Sequence, residues 1–205
     1  MRRVLLVVAH PRRDSFTWSV ADLLVARARD SGSEVLVHDL YADGFDPLLT
    51  AEESRHVQLG VAGPAGDALT ARYREDLTSA DVLVALHPNW WGKPPAAMSG
   101  WLDRVLAPGV AYKLQGGAAG EPEALLRLDA LVVTFGDTPA DRETAEFGDP
   151  LHLIWTRCVL PYVGAGHVER RHVTPVGSLT AGERAEAAET CWAALADLLG
   201  VRPEQ

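Results

Sequence analysis

The residues best suited to chemistry lie in a loop where two tryptophans stand side by side. Residues 87–95 contain Trp90 and Trp91 together with three prolines. They follow the apolar run 81–86 and precede a predicted helix at 96–106. A soluble protein gains little from exposing two indoles, whereas a flat aromatic ligand can cover them. A second interpretation, in which both rings fill the gap between the helix and the sheet, is equally compatible with the sequence.

A second loop, residues 9–18, has the composition of a phosphate-binding turn. It offers the hydroxyls of Ser15 and Thr17, two arginines, and the free N–H groups of a helix start. Those N–H groups and the partial positive charge of a helix N-terminus both stabilise a phosphate. The loop has neither the G-x-G-x-x-G of a dinucleotide-binding turn nor the G-K-[ST] of a P-loop. The alternative is that a side chain of residues 14–17 only caps the helix, and that His10 is a structural histidine.

A third loop follows another apolar run and combines a hydroxyl, an aromatic ring and a glycine. Its residues are Thr134, Phe135, Gly136, Asp137, Thr138 and Pro139. This composition alone is weak evidence for a site. Three such loops at one edge of a sheet are stronger evidence than any one of them.

Strands and helices that alternate along the chain would bring these loops together. The unbroken apolar run at 4–9 predicts a strand covered on both faces, and the mainly apolar segments 81–86 and 130–135 predict two more strands. Further strands are predicted at 34–39 and between residues 164 and 176. Helices are predicted over residues 17–30, 68–77, 96–106, from 150 onward, and 180–199. This alternation predicts a parallel sheet, which binds ligands beyond the carboxyl ends of its strands.

Composition and charge restrict the classes of function. A chain of 205 residues with 47% hydrophobic residues suits one domain over residues 1–205. The formal charge of −9 argues against binding nucleic acid or an anionic membrane. Without a bilayer-length apolar run or a signal peptide, we expect a cytoplasmic protein with no membrane insertion. The glycine-rich residues 116–120 are predicted to be a loop within the domain.

The two cysteines are too few and too far apart to indicate a metal site or a disulfide framework. Cys158 and Cys191 both fall in helical apolar patterns, so we expect two buried free thiols. We expect no metal.

Three segments of the sequence are similar to the flavodoxin-like NAD(P)H:quinone oxidoreductases. That family includes the modulator-of-drug-activity proteins and the ancillary subunits of potassium efflux systems. The segments are residues 9–16, 88–105 and 109–112. The pattern P-x-x-W-x-x-x-P-A-x-x-x-G-W-x-x-R-V in the second segment is the most specific, because it is hard to reach by chance.

The resemblance implies a fold, a cofactor and an activity. The fold is an α/β three-layer sandwich, flavodoxin-like, with a five-stranded parallel sheet in the order 2-1-3-4-5 and helices on both faces. The cofactor is a tightly bound flavin, FMN or FAD. The activity is that of an NAD(P)H dehydrogenase (quinone), with hydride passing from NAD(P)H through the flavin to a quinone-like acceptor, usually in a homodimer. The alternative is a flavin- or nucleotide-binding regulatory subunit of a partner such as a transporter.

The resemblance also assigns site residues, loop by loop. The residues matching the loop that binds the flavin phosphate and ribityl chain are His10, Ser15, Phe16 and Thr17. The residues matching the loop along the isoalloxazine ring, with Trp91 as the stacked indole, are Pro88, Asn89, Trp90, Trp91 and Gly92. The residues matching a T-T-G-G segment at the polar edge of the ring are Thr134, Phe135, Gly136 and Asp137.

The segment after the fourth predicted strand departs from the family. Mammalian quinone reductases have a tyrosine and a histidine there, to which charge relay is attributed, and residues 137–149 contain neither. Hydride transfer to a flavin needs no protein acid, so the activity class is unaffected. The sequence therefore identifies no catalytic residue and no preferred acceptor. Arg142 and Asp141 either face the acceptor or form a solvated salt pair.

Overall fold

The computed structural model describes residues 1–116 and 119–201, and a five-stranded parallel sheet lies at its centre. The strands are β1 (Arg3–Val8), β2 (Glu34–Asp39), β3 (Val82–Pro88), β4 (Tyr112–Gln115), β5 (Glu121–Ala124), β6 (Leu128–Phe135) and β7 (Ala165–Val173). The sheet order is β2-β1-β3-β6-β7, and all four neighbouring pairs are parallel. Counting only these five strands gives the order 2-1-3-4-5, so the predicted topology is confirmed.

Helices cover both faces of the sheet. They are α1 (Phe16–Asp30), α2 (Ala51–Leu59), α3 (Ala68–Ser79), α4 (Ala96–Val105), α5 (Ala140–Phe147), α6 (Pro150–His152), α7 (Leu160–Val163) and α8 (Ala181–Leu199). One buried cluster joins α1 and α8 to one face, and the other joins α3, α4 and the segment 150–163 to the opposite face. Among the described residues, no helix is long and apolar enough to cross a membrane.

The burial of β1 on both faces explains why its apolar run is unbroken. Along β1, Leu5 and Val7 belong to one cluster, while Val4, Leu6 and Val8 belong to the other. Successive side chains of a strand point to opposite faces, so both sets must be apolar when helices cover both faces.

The predicted regular helix after residue 150 is interrupted by a π-helix, Leu153–Val159. The N–H of Leu160 donates to the carbonyl of Trp155, five residues earlier. The wider turn makes Leu160 the next buried residue after Trp155 and leaves Cys158 exposed. The predicted burial of Cys158 is therefore wrong, whereas that of Cys191 is confirmed.

The hairpin of β4 and β5 was not predicted from the sequence. It flanks the glycine-rich loop, and residues 117–118 of that loop lie outside the described residues. The turn-forming residues between 41 and 64 indicate irregular structure or a short helix, and the structure has the short helix α2 there, whose capping box joins Thr50 and Glu53.

A buried ion-pair cluster fixes α4, the helix that follows the tryptophan loop. The Arg104 side chain is 2% exposed and donates to Glu53 Oε1 at 3.1 Å and to Asp67 Oδ2 at 2.7 Å. It also donates to the carbonyl of Asp46 at 2.7 Å. Because Glu53 is itself buried, this cluster holds α2 and the start of α3 against α4.

Candidate functional site

The three predicted loops meet around one cavity of about 640 Å³ at the carboxyl edge of the sheet. They connect β1 to α1, β3 to α4, and β6 to α5. The cavity is lined by His10, Pro11, Arg12, Ser15, Phe16, Thr17, Pro88, Asn89, Trp90, Phe135, Gly136, Asp137, Thr138, Pro139, Arg142 and Val176. All the predicted site residues line it except Trp91, Gly92 and Thr134.

The start of α1 forms one end of the cavity. Ser15 caps this helix, because its Oγ accepts a hydrogen bond from the N–H of Trp18 at 3.3 Å. The capping interpretation is therefore correct, and it does not exclude the phosphate interpretation. The N–H groups of Phe16 and Thr17 lie in the first turn, where an α-helix supplies no acceptor for them. This end of the cavity is suited to an anionic group.

His10 lies beside this helix start as a neutral imidazole. Its Nδ1 lies 3.1 Å from both the backbone nitrogen and the carbonyl oxygen of Arg12, so either neutral tautomer has a partner there. Burial lowers the pKa of His10 below its ordinary value, and the hydrogen bond to the Arg12 backbone acts in the opposite direction. His10 is therefore a neutral polar side chain in the cavity wall.

The two tryptophans occupy different environments. Trp90 and Lys93 exchange two backbone hydrogen bonds of 3.3 Å, and the residues between them have positive φ, 60° at Trp91 and 69° at Gly92. This is the pattern of a type I′ turn. Trp91 is 96% exposed and lies outside the cavity, whereas Trp90 is 39% exposed and lines it. Neither indole fills the core, and Trp90 is the one placed to contact a ligand.

Gly92 also lies outside the cavity. Besides its positive φ, an added Cβ would lie 2.7 Å from Cγ of Pro150. Gly92 therefore allows the turn to pack against the start of α6.

Asn89 connects the three segments that surround the middle of the cavity. Its backbone N–H donates to the carbonyl of Phe135 at 2.6 Å, and its Nδ2 donates to Glu143 Oε1 at 2.9 Å. Its Oδ1 accepts the N–H of Gly92 at 2.9 Å. Glu143 is 4% exposed and was not recognised from the sequence, because nothing in the polar helix α5 distinguishes it from its exposed neighbours.

Aromatic and cationic side chains complete the wall. The rings of Phe16 and Phe135 pack edge to face at 5.6 Å, and the Arg184 guanidinium lies 5.1 Å above Phe16. Arg142 lines the cavity and also pairs with Glu146 at 2.9 Å. Both partners are more than half exposed, so the pair contributes little to stability. Arg142 therefore lines the cavity while it pairs with Glu146, whereas the sequence had suggested Asp141 as its partner.

A buried polar cluster lies behind Gly136 on the other side of the loop. Thr134 is fully buried, and its Oγ1 is 2.8 Å from His172 Nδ1. Arg170 donates to the same Oγ1 at 3.3 Å and pairs with Asp149 through two bonds of 2.7 and 2.9 Å. Because Thr134 faces this cluster, it does not face the cavity. Sequence reasoning missed Arg170 and His172, since charged residues on a predicted edge strand usually face solvent.

His87 lies beside this cluster and is completely buried. Its Nδ1–H donates to the carbonyl of Pro88 at 2.8 Å, and its Nε2 accepts from Trp155 Nε1 at 3.0 Å. Burial lowers the pKa of His87 to about 4. The ring is therefore neutral at physiological pH and serves to hold the start of the tryptophan loop.

The cavity can bind a flat ligand that carries an anionic group. Its aromatic residues offer apolar surface, its helix start offers N–H donors, and the loop after β6 offers backbone polar groups. A flavin has this combination of a planar ring, a polar ring edge and a phosphate, so the residues present fit a flavin.

Comparisons with known proteins agree with this geometry. A model of the family Flavodoxin_2, described as having a flavodoxin-like fold, matches residues 2–195. An uncharacterized NAD(P)H oxidoreductase of Escherichia coli K12 is 35% identical over 117 residues, covering 54% of this chain and 55% of that protein. NAD(P)H dehydrogenase (quinone) 1 of Rattus norvegicus is 32% identical over 126 residues, covering 55% and 46%. The chain thus spans about half the length of the curated relatives it matches.

The solved structure of an NAD(P)H:quinone oxidoreductase from Methanothermobacter marburgensis is 26% identical to this chain. It aligns with a TM-score of 0.82 and covers 94% of this chain and 96% of that one. These matches confirm the resemblance to NAD(P)H:quinone oxidoreductases that the sequence predicts. Since the family model matches almost the whole sequence, the chain belongs to the Flavodoxin_2 family of proteins with a flavodoxin-like fold.

Proposed function

We propose that this protein is a flavin-dependent NAD(P)H oxidoreductase that reduces quinones or similar flat aromatic acceptors by two electrons. The observation that carries the proposal is the single cavity in which the three loops meet, with an indole on its wall and a helix start at its end. The names of the relatives support the same reaction class. Either FMN or FAD satisfies these observations.

The cavity residues divide into three roles. The first turn of α1, with Ser15 and Thr17, holds the flavin phosphate, and His10 lies beside it. Trp90 and Phe16 provide the apolar surface for the ring. The backbone at Gly136 and Asp137 contacts the polar edge of the ring.

Asn89 keeps the walls of this site at a fixed separation. Trp91, Gly92 and Thr134 make no direct contact with the flavin in this proposal, since they lie outside the cavity. Gly92 shapes the turn, and Thr134 contacts the buried cluster behind Gly136.

The bound flavin would supply the hydride chemistry, and the protein would supply position and a low-dielectric surrounding. Nothing in this scheme requires a side chain to donate a proton. A nicotinamide and an acceptor would then occupy the same open face of the cavity in turn. We extend the proposal to a homodimer of single-domain chains in the cytoplasm, on the strength of the family resemblance.

Reconstitution with flavin tests the proposal directly. Purified protein is titrated separately with FMN and FAD, and quenching of flavin fluorescence gives each dissociation constant. We expect micromolar or tighter binding of at least one flavin, and rapid oxidation of NADH or NADPH when menadione is added. The control is the free flavin at the same concentration, which measures the rate without protein.

Two outcomes would change the assignment. Protein that binds neither flavin would refute it. Tight flavin binding with negligible turnover on every quinone, together with retrieval of a membrane transporter in a pull-down, would favour the regulatory-subunit alternative.

A further inference from the structure

One ring nitrogen of a histidine behind the cavity is buried and has no hydrogen-bond partner in the described part of the chain. His172 lies on β7, and its Nε2 is buried without a hydrogen-bond partner among the described residues. Leaving a buried polar group unpaired destabilises the folded state. Such groups are rare in folded proteins and call for an explanation.

The neighbouring hydrogen-bonding groups favour a proton on Nε2 of this imidazole. Arg170 has donors and no acceptor, so its Nη2 donates to Thr134 Oγ1. Within the described residues, the acceptor placed for the Thr134 hydroxyl proton is His172 Nδ1, at 2.8 Å. With Nδ1 accepting, a neutral imidazole carries its hydrogen on Nε2. Burial, together with the nearby Arg170, lowers the pKa of His172 and favours this neutral form.

The unpaired N–H lies next to the floor of the cavity. A Cβ added to Gly136 would lie 3.1 Å from Cε1 and 3.5 Å from Nε2 of His172, and 3.7 Å from Cβ of Asn89. Gly136 and Asn89 both line the cavity, whereas His172 does not. The missing side chain of Gly136 therefore leaves only backbone between the imidazole edge and a ligand lying over that glycine.

We propose that His172 is a positioning residue whose Nε2–H, held by Thr134 and Arg170, favours negative charge on the flavin ring edge over Gly136. The inference rests on the proposed function, because it requires a flavin in the cavity. A reduced flavin carries more negative charge than an oxidised one, so a fixed N–H dipole stabilises the reduced form preferentially. Asp149 keeps Arg170 in place through its two hydrogen bonds.

Substitution of His172 separates this role from simple packing. His172→Leu removes the donor, and His172→Gln retains an amide N–H at a similar reach. The matched control is His167→Leu, since His167 lies at the opposite end of the same strand with an exposed side chain.

The readout is the flavin midpoint potential, with thermal melting of each apo-protein as the test of folding. We expect His172→Leu to lower the ratio of affinities for reduced and oxidised flavin about tenfold, which corresponds to a potential about 30 mV more negative. His172→Gln should recover part of this change, and His167→Leu should leave the potential unchanged.

Nitrogen NMR of the wild-type imidazole provides a measurement that needs no variant. We expect a proton on Nε2 in the apo-protein and a shift of that resonance when flavin binds. An Nδ1-protonated ring would overturn the inference, as would equal potentials for His172→Leu and His167→Leu. In either case, flavin binding by the wild type would leave the proposed function intact. Failure of the wild type to bind flavin would overturn both.

Discussion

Truncation of the two adjacent tryptophans should have different effects on flavin affinity, although their sequence positions look equivalent. Trp90 lines the cavity, so Trp90→Ala removes the indole that faces the flavin. Stacking of a planar base on an aromatic side chain contributes roughly 1–3 kcal/mol, which corresponds to about a fivefold to 150-fold loss of flavin affinity. Trp91 is 96% exposed, so Trp91→Ala should change flavin affinity less than twofold.

Strain in the turn provides a second, independent difference. Trp91 has φ 60°, a region that costs a non-glycine residue roughly 1–2 kcal/mol. Trp91→Gly relieves this cost at a position with almost no buried contact, so the apo-protein should become more stable by about 1 kcal/mol. Trp90→Ala should not stabilise the apo-protein.

Fluorescence titration with flavin and urea unfolding of the apo-protein measure the two effects on the same samples. A loss of affinity in Trp91→Ala equal to that in Trp90→Ala would refute the placement of the cavity wall. A decrease in apo-protein stability in Trp91→Gly would refute the strain assigned to the backbone at Trp91.

Three further predictions concern stability. Arg104→Met should lower the free energy of unfolding in urea by roughly 3–5 kcal/mol, because it leaves the buried Glu53 without its main cationic partner. The control is Arg142→Met at an exposed ion pair, which should lower it by less than about 1 kcal/mol. The pKa of His87 is about 4 in the folded state and 6.5 in the unfolded state. The neutral ring's contribution to the free energy of unfolding is therefore complete above pH 6.5. Up to about 3 kcal/mol of this contribution is lost as the pH falls towards 4. Urea unfolding of wild type and His87→Gln across this range should show the steeper dependence in the wild type, and parallel curves would contradict the prediction. Gly92→Ala should lower the melting temperature more than Gly32→Ala. Both glycines have positive φ, but an added Cβ would lie within 4 Å of Pro150 at Gly92 and of no other atom at Gly32. Equal melting temperatures of the two variants would exclude that clash.

The sheet and its ligand edge could be predicted because their causes are local in the sequence. Strands covered on both faces must be apolar at nearly every position, as in β1 and β3, and loops at their ends then share one edge. The hydroxyl and aromatic residues of those loops therefore indicated, before any contact was known, three loops that meet around one cavity.

The details that sequence reasoning missed depend on contacts between distant residues. The Asn89–Glu143 and Thr134–His172 pairs join residues 54 and 38 positions apart, and no local pattern reports them. Whether an indole points inward or outward depended on the turn geometry at Trp91. The π-helix near Trp155 shifted the buried positions by one residue, which a regular helical spacing could not anticipate.

The three hydrogen bonds of Asn89 have a consequence for how a ligand enters. These hydrogen bonds fix the conformation of the cavity rim when the chain folds, so the rim does not have to rearrange when a ligand binds. Little conformational entropy then remains to be lost at the moment of docking.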